Sequence, residues 1–229
     1  MGKTKAIVCR RQRLKSKTNS IWLLGTLVLI SSIQMSCVQT PIKESAPDYS
    51  KKLVMAWRGK ALIFDKIKDK KNTVALEVVS RRPKNMRIDI SATLGIYVGS
   101  FVWNEHKMEI LLARDKKFIV GPASADSMQE ILKMQIDPQA LLDVFWEQPL
   151  SPREWNCERD RSELTKLCKH KTLAVQIIWQ ERSPRHRLIE IDSQKVNTQL
   201  SLNEVEEAPE IKASTFQLRA PEGFKNITL

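Results

Sequence analysis

The chain is poor in the residues from which most enzymatic sites are built: 229 residues carry three histidines, four cysteines and seven glycines. The glycines beyond residue 36, Gly59, Gly95, Gly99, Gly121 and Gly223, never fall in the spacing of a phosphate-cradling loop, which argues against nucleotide use. No G-x-S-x-G, H-E-x-x-H or paired Cys-x-x-Cys is present, so the common hydrolase, metalloprotease and thiol-redox signatures are excluded. His106, His170 and His186 each stand beside Lys or Arg in turn-like or strand-edge contexts and read as surface residues rather than general bases. No two carboxylates form a convincing acid–base pair. The expectation is a protein without catalytic residues, cofactor or bound metal, and not an enzyme.

A spanning apolar run is also missing. The longest, "IWLLGTLVLI" from Ile21 to Ile30, is shorter than the ~20 residues a membrane helix needs. It follows a basic start (Lys3, Lys5, Arg10, Arg11, Arg13, Lys15, Lys17) that holds no acid, and it leads into the polar "SSIQMS". That order reads as a secretory signal peptide over residues 1–36. "SIQMSC" places the small Ser36 before Cys37 and resembles the lipobox of bacterial lipoprotein precursors, with Gln34 where that pattern usually has an aliphatic residue. The resemblance implies a lipid anchor on Cys37. Val38, where an Asp would mark inner-membrane retention, implies the periplasmic face of the outer membrane. An ordinary signal-peptidase cut nearby would leave a soluble periplasmic protein instead.

The formal charge of +12 is largely targeting charge. Seven of the 38 basic residues, and none of the 26 acids, lie in the first 36 positions, and the excess of five that remains demands no nucleic acid. The clusters "SRRPKN" and "DKIKDKK" read as solvated hairpin turns first and as anionic-headgroup contacts second. Of the cysteines outside the leader, Cys157 and Cys168 should pair in an oxidising compartment and clip one hairpin. A zinc site would need two further ligands where only His170 is near.

From Leu53 the rhythm alternates with period two, the mark of strands with one buried face. "NMRIDIS" sets Met86, Ile88 and Ile90 against Arg87 and Asp89. "LVMAWRGKALIF", "TVALEVV", "YVGSFVWN", "KMEILLA" and "KFIVG" complete a first antiparallel meander. After Pro122 two short helices are predicted: one capped by Ser127 with Glu130, the other opening at Asp137-Pro138 ahead of "QALLDVFW". Beyond Pro149 and Pro152 strands resume as "EWNCERD", "LTKLCKH", "LAVQIIWQ", "RLIEID", "VNTQLSL" and "STFQL", for about twelve in all. Residues 37–50, with Pro41 and Pro47 and no alternation, read as a tether to a domain over 51–229.

Against that pattern, "ATLGIY" (92–97) places apolar side chains in what should be a turn. Three segments carry a resemblance that bears on it: "WRGKALIF", "NMRIDISATLGIYVGSFVWN" and "ADSMQEILKMQIDPQALLDVFWEQPL", in that order over most of residues 53–150. They are similar to the lipoprotein-localisation family of LolA and LolB, more closely to the LolB branch, while the ending "TFQLRAPEGFKNITL" is similar to LolA-type domains. The resemblance implies a curved, incompletely closed antiparallel β-barrel capped by two or three short helices. It implies that Leu94, with Gly95 and Ile96, forms a loop that inserts into membranes. An apolar cavity for acyl chains would draw on Ile88 and Ile90, on Met108, Ile110 and Leu112, on the helical Leu132, Leu142 and Phe145, and on Ile177 and Trp179. The implied partners are acylated lipoproteins, a LolA-like periplasmic carrier and outer-membrane lipid, with the protein a monomer. The alternative is an envelope scaffold or sensor of the same fold whose core is filled.

Overall fold

A computed structural model describes residues 53–105, 107–183, 186–207 and 211–229; the signal segment, Cys37, the tether and His106 lie outside the described residues. The alternating segments form twelve strands and two α-helices. Six strands come first: β1 (Val54–Asp65), β2 (Lys70–Arg81), β3 (Asn85–Ala92), β4 (Tyr97–Asn104), β5 (Lys107–Leu112) and β6 (Lys117–Pro122). Helices α1 (Ala125–Leu132) and α2 (Pro138–Phe145) follow. Five more strands come next: β7 (Trp155–Arg159), β8 (Thr165–His170), β9 (Val175–Arg182), β10 (Arg187–Ser193) and β11 (Val196–Glu207). The last, β12 (Lys225–Thr228), ends the chain.

All twelve join one sheet in the order β12-β6-β5-β4-β3-β2-β1-β11-β10-β9-β8-β7, which is not closed on itself. Consecutive hairpins account for most of this order. Two pairings do not: β1 with β11, which welds the two meanders, and β12 with β6, the parallel pair. The alternation is obeyed. Met55, Trp57 and Ala61 of β1, Leu76 and Val78 of β2, and Leu200 and Leu202 of β11 are buried on one face, which the helices cover. Arg87 and Asp89 pair on the other face, Nε to Oδ2 at 2.8 Å.

Helix α2 is tied to the middle of the sheet. Asp137 caps it, its Oδ1 accepting from the Gln139 amide at 2.7 Å, and Pro138 occupies the first turn, as the sequence predicts. At its other end Phe145 and Trp146 pack on Trp57 with ring centroids 5.5 Å away, and Trp146 Nε1 donates to Ser80 Oγ at 2.6 Å. The buried Arg187 donates from Nη1 to the Phe145 carbonyl at 3.0 Å, placing positive charge at the helix C-terminus where the macrodipole favours it. Glu147 accepts from both Arg187 and Arg182.

Two expectations are corrected. The cap of α1 is Ser124, whose Oγ accepts from the Ser127 amide at 3.2 Å, so the helix starts earlier than the Ser127/Glu130 box implied. Ser124 is the extended residue that precedes the turn, and Ser127 already lies within it. "STFQL" is not a strand either. Ala213–Phe216 forms a 3-10 turn, and the segment's polar groups find side chains: Glu109 Oε2 accepts from the Leu218 amide at 2.7 Å, and Arg87 Nη1 donates to the Thr215 carbonyl at 3.2 Å. The twelfth strand is instead Lys225–Thr228. Cys157 and Cys168 stand opposite each other in the β7–β8 pair and form a disulfide.

Candidate functional site

Where β10, β11, β1, β2, β3 and β4 run side by side, their inward side chains do not fill the space under the helices, and an apolar cavity of about 110 Å3 remains. Its floor is Ala61, Ile63, Val74, Leu76, Ile88, Ile90, Phe101, Ile191 and Leu200; its roof is Met128, Met134, Leu141 and Phe145. The one polar group in its wall is buried Thr198, whose hydroxyl has no hydrogen-bond partner among the described residues. Small Ala61, buried in the middle of the floor strand, contributes to the space. Ligand-binding cavities commonly measure ~300–1,000 Å3, so this conformation has room for the end of one acyl chain.

Of the ten residues predicted to line such a cavity, the structure brings three to it: Ile88, Ile90 and Phe145. Met108, Ile110, Leu142, Ile177 and Trp179 are buried in the surrounding core, Leu112 is half-buried against it, and the side chain of Leu132 lies outside the described set. The reason is topological. The cavity sits over the middle of the sheet, whereas β5 and β9 flank that middle. Ala61, Ile63, Val74 and Leu76 were missed although β1 and β2 alternate cleanly, because their central place depends on the β1–β11 pairing.

The "ATLGIY" segment is a tight 3-10 turn, Thr93–Gly95, closed by the Ala92 amide donating to the Ile96 carbonyl at 2.7 Å. Leu94 is 94 % exposed and Ile96 65 %. Leu94 adopts φ 71°, ψ 16°, a left-handed conformation uncommon for a branched apolar residue, and Gly95 follows at φ 74°. The base is braced: Tyr97 Oη meets Ser100 Oγ at 2.7 Å, Ser100 Oγ donates to Asp89, and Arg87 holds Asp89. These contacts join β3 and β4 directly beneath the exposed leucine.

Cavity and loop share one end of the sheet. Ile90 lies just before Ala92, where the loop begins, and Val74 pairs with Ala92. Ile63, Ile191 and Thr198 likewise lie close to the ends of β1, β10 and β11 at that same edge, where Asp65 pairs with Val196.

On the far side of α2 an open crevice runs between the helix and the β2–β3 turn, walled by Arg82, Gln139, Asp143 and Trp146. Burial pushes the Asp143 carboxyl up to about 6; the hydrogen bond from Gln139 Nε2 at 2.9 Å and the Arg82 charge oppose that rise, and Asp137 adds to it. The Asp137 carboxyl is also raised by burial, against its bond from the Gln139 amide. A carboxyl whose folded-state pKa is raised adds stability below its unfolded value, near 3.8, and that contribution is lost as pH rises to about 6. Asp143→Asn, which retains an acceptor for Gln139, should therefore melt progressively higher than the parent chain as pH goes from 4 to 7 in matched thermal scans. A constant difference across that window would contradict the assignment.

Among the described residues no group of three or more His, Cys, Asp or Glu could hold a metal ion, and no helix is long and apolar enough to cross a membrane. No family model and no curated protein matches the chain. Solved structures do. A DUF1329 family protein from Desulfovibrio piger superposes with a TM-score of 0.50 at 8% identity, over 73% of this chain and 90% of its own, and shows the same fold. A domain assigned to outer membrane lipoprotein sorting from Vibrio parahaemolyticus superposes at 0.47 with 6% identity, covering 72% of this chain and 89% of its own. A LolA superfamily protein from Nitrosomonas europaea superposes at 0.46 with 8% identity, covering 73% and 91%.

Proposed function

We propose that this chain receives the acyl chains of lipoproteins beneath its helices and passes them into the outer membrane, a LolB-like role performed without catalysis or an energy source. The observation that carries the reading is the placement of an apolar cavity and a solvent-facing leucine at one end of the sheet. The physical need is plain. Each exposed methylene costs about 0.8 kcal/mol in water, so a lipoprotein's acyl chains cannot cross an aqueous compartment unsheltered.

A cavity of about 110 Å3 must expand to hold them. Helix α2 is fixed by Trp57, Ser80 and Arg187, so the expanding part is α1 with the segment that carries Met134. Transfer then runs downhill in affinity, from a LolA-like carrier to this cavity to the bilayer, with the chain tethered through lipid on Cys37.

The modest volume favours one competing reading, an envelope scaffold or sensor whose core is closed. A fluorescent fatty acid separates them. Uptake, with displacement by acylated but not deacylated lipoprotein, is expected for the parent chain. Ala61→Phe, which fills the floor, should lower uptake at least tenfold while the fold persists by circular dichroism. Absence of uptake by the parent chain would favour the scaffold.

A further inference from the structure

The same end of the sheet carries a second apolar tip. The β1–β2 turn, Lys66–Asp69, presents Ile67 at 72 % exposure. Residues 70–73 of β2 still pair with β1 but run past Ala92, the last residue of β3, so the turn projects beyond its neighbour on that side. It is held in shape: Asp65 Oδ1 accepts from the amides of Ile67 and Lys68, both at 3.0 Å. It is also fastened to the β10–β11 turn. The Lys66 amide donates to the Lys195 carbonyl at 2.9 Å, and Lys66 Nζ donates to the Ser193 carbonyl and pairs with Asp192, each at 2.7 Å. With Leu94 and Ile96 the turn puts three exposed aliphatic side chains at one end of the sheet, a grouping rather than a lone surface residue.

The surrounding charge indicates what covers it. Lys68, Lys70 and Lys71 are exposed around Ile67, against Asp69 and an Asp65 whose Oδ1 is engaged by the turn and whose Oδ2 lies 3.9 Å from Lys68 Nζ. The Lys71 ammonium lies over the Phe64 ring, 5.4 Å from its centroid. Between this hairpin and the Leu94 loop lies a cleft of about 320 Å3 walled by Lys60, Thr73, Ala75, Ser91 and Leu94. Apolar tips ringed by lysines match the boundary of an anionic bilayer, where tips enter the acyl region and ammonium groups meet phosphates.

We propose that the Lys66–Asp69 turn is a second membrane contact, Ile67 entering an anionic phospholipid bilayer beside Leu94 while Lys68, Lys70 and Lys71 bind its headgroups. This rests on the delivery role above and adds an orientation to it: two contacts at one sheet end turn that end, with the cavity beside it, toward the lipid.

A polarity-sensitive fluorophore tests this in the full-length chain with Cys9→Ala and Cys37→Ala, since Cys157 and Cys168 are joined. The label is placed by Ile67→Cys, by Leu94→Cys or, at the opposite end of the same hairpins, by Lys84→Cys. Vesicles are phosphatidylcholine with or without phosphatidylglycerol. Emission at positions 67 and 94 should shift blue on the anionic vesicles while position 84 stays unchanged. Each lysine near an anionic surface raises affinity roughly fivefold, so Lys68→Gln, Lys70→Gln and Lys71→Gln together should weaken the shift at 67 about 100-fold in lipid concentration. A label that enters at 94 but stays in water at 67 overturns the second contact and leaves the delivery role standing. Water at both positions overturns both. An equal shift on uncharged vesicles overturns the lysine contribution, and lysine dependence with a label that never leaves water points to an acidic protein instead and overturns the membrane contact.

Discussion

Leu94→Glu is expected to abolish delivery of acylated lipoproteins into vesicles while leaving uptake and thermal stability as they are. The side chain is 94 % exposed, so replacing it removes almost no packing from the folded state. In a bilayer the change is severe. A leucine gains about 1.5–3 kcal/mol on leaving water, a carboxylate gains none and resists entry, and the delivery rate should fall by two orders of magnitude or more. A liposome-transfer assay run beside fatty-acid binding and a melting curve reads all three quantities. Leu94→Asn sharpens the comparison. Asparagine tolerates φ 71° better than leucine does, so this variant should be no less stable than the parent and still deliver poorly. Undiminished delivery by either variant would remove the loop from the mechanism.

Gly59→Val should be the most damaging single substitution for the fold. A Cβ at this position would lie 2.1 Å from the Ser201 carbonyl oxygen and 3.0 Å from Leu202 Cα, both backbone atoms that no rotamer change can move aside. The clash falls at the irregularity in the β1–β11 ladder, where the register shifts between Arg58 and Gly59. Since this seam is what unites the two meanders, its disruption should cost ~3 kcal/mol or more in urea unfolding, or prevent folding outright. Near-parental stability would mean that β1 and β11 are not packed as closely as described.

That seam also marks the limit of what could be read in advance. Period-two alternation and short polar turns located eleven of the strands, because a strand with one wet face has to alternate. Asp137-Pro138 located α2 for an equally local reason: the capping geometry is written in adjacent residues. The pairing of β1 with β11 joins segments more than a hundred residues apart and leaves no local trace. Without it, the middle of the sheet could not be identified, so Met108 and Ile177 were expected at a cavity that lies instead over Ala61, Val74 and Leu76. "STFQL" was misread because a short alternating run looks the same whether its amides face a strand or, as here, turn carbonyls (Thr215 and Gln217) and the Glu109 carboxylate (Leu218). Apolar residues around a Leu-Gly step do not suit a soluble turn, and Leu94 is found in the solvent.

The roof is built with unequal strength in its two helices. Helix α2 is capped at Asp137, braced by Trp57 and Trp146, and held at its C-terminus by Arg187; α1 contributes Met128 to the core and is capped by Ser124. An acyl chain entering over Ile88 and Ile90 would displace Met128 and Met134, whose unbranched side chains repack more readily than branched ones.

Photocrosslinking from the cavity floor tests the sheltering of acyl chains most directly. A photoreactive side chain at Ile88, illuminated with an acylated lipoprotein bound to the full-length chain, should form an adduct whose cleavage products carry the crosslink on the fatty acid. The deacylated lipoprotein should form none. Adducts that are absent, or that form equally with the deacylated protein, would show that the space above Ile88 does not receive lipid.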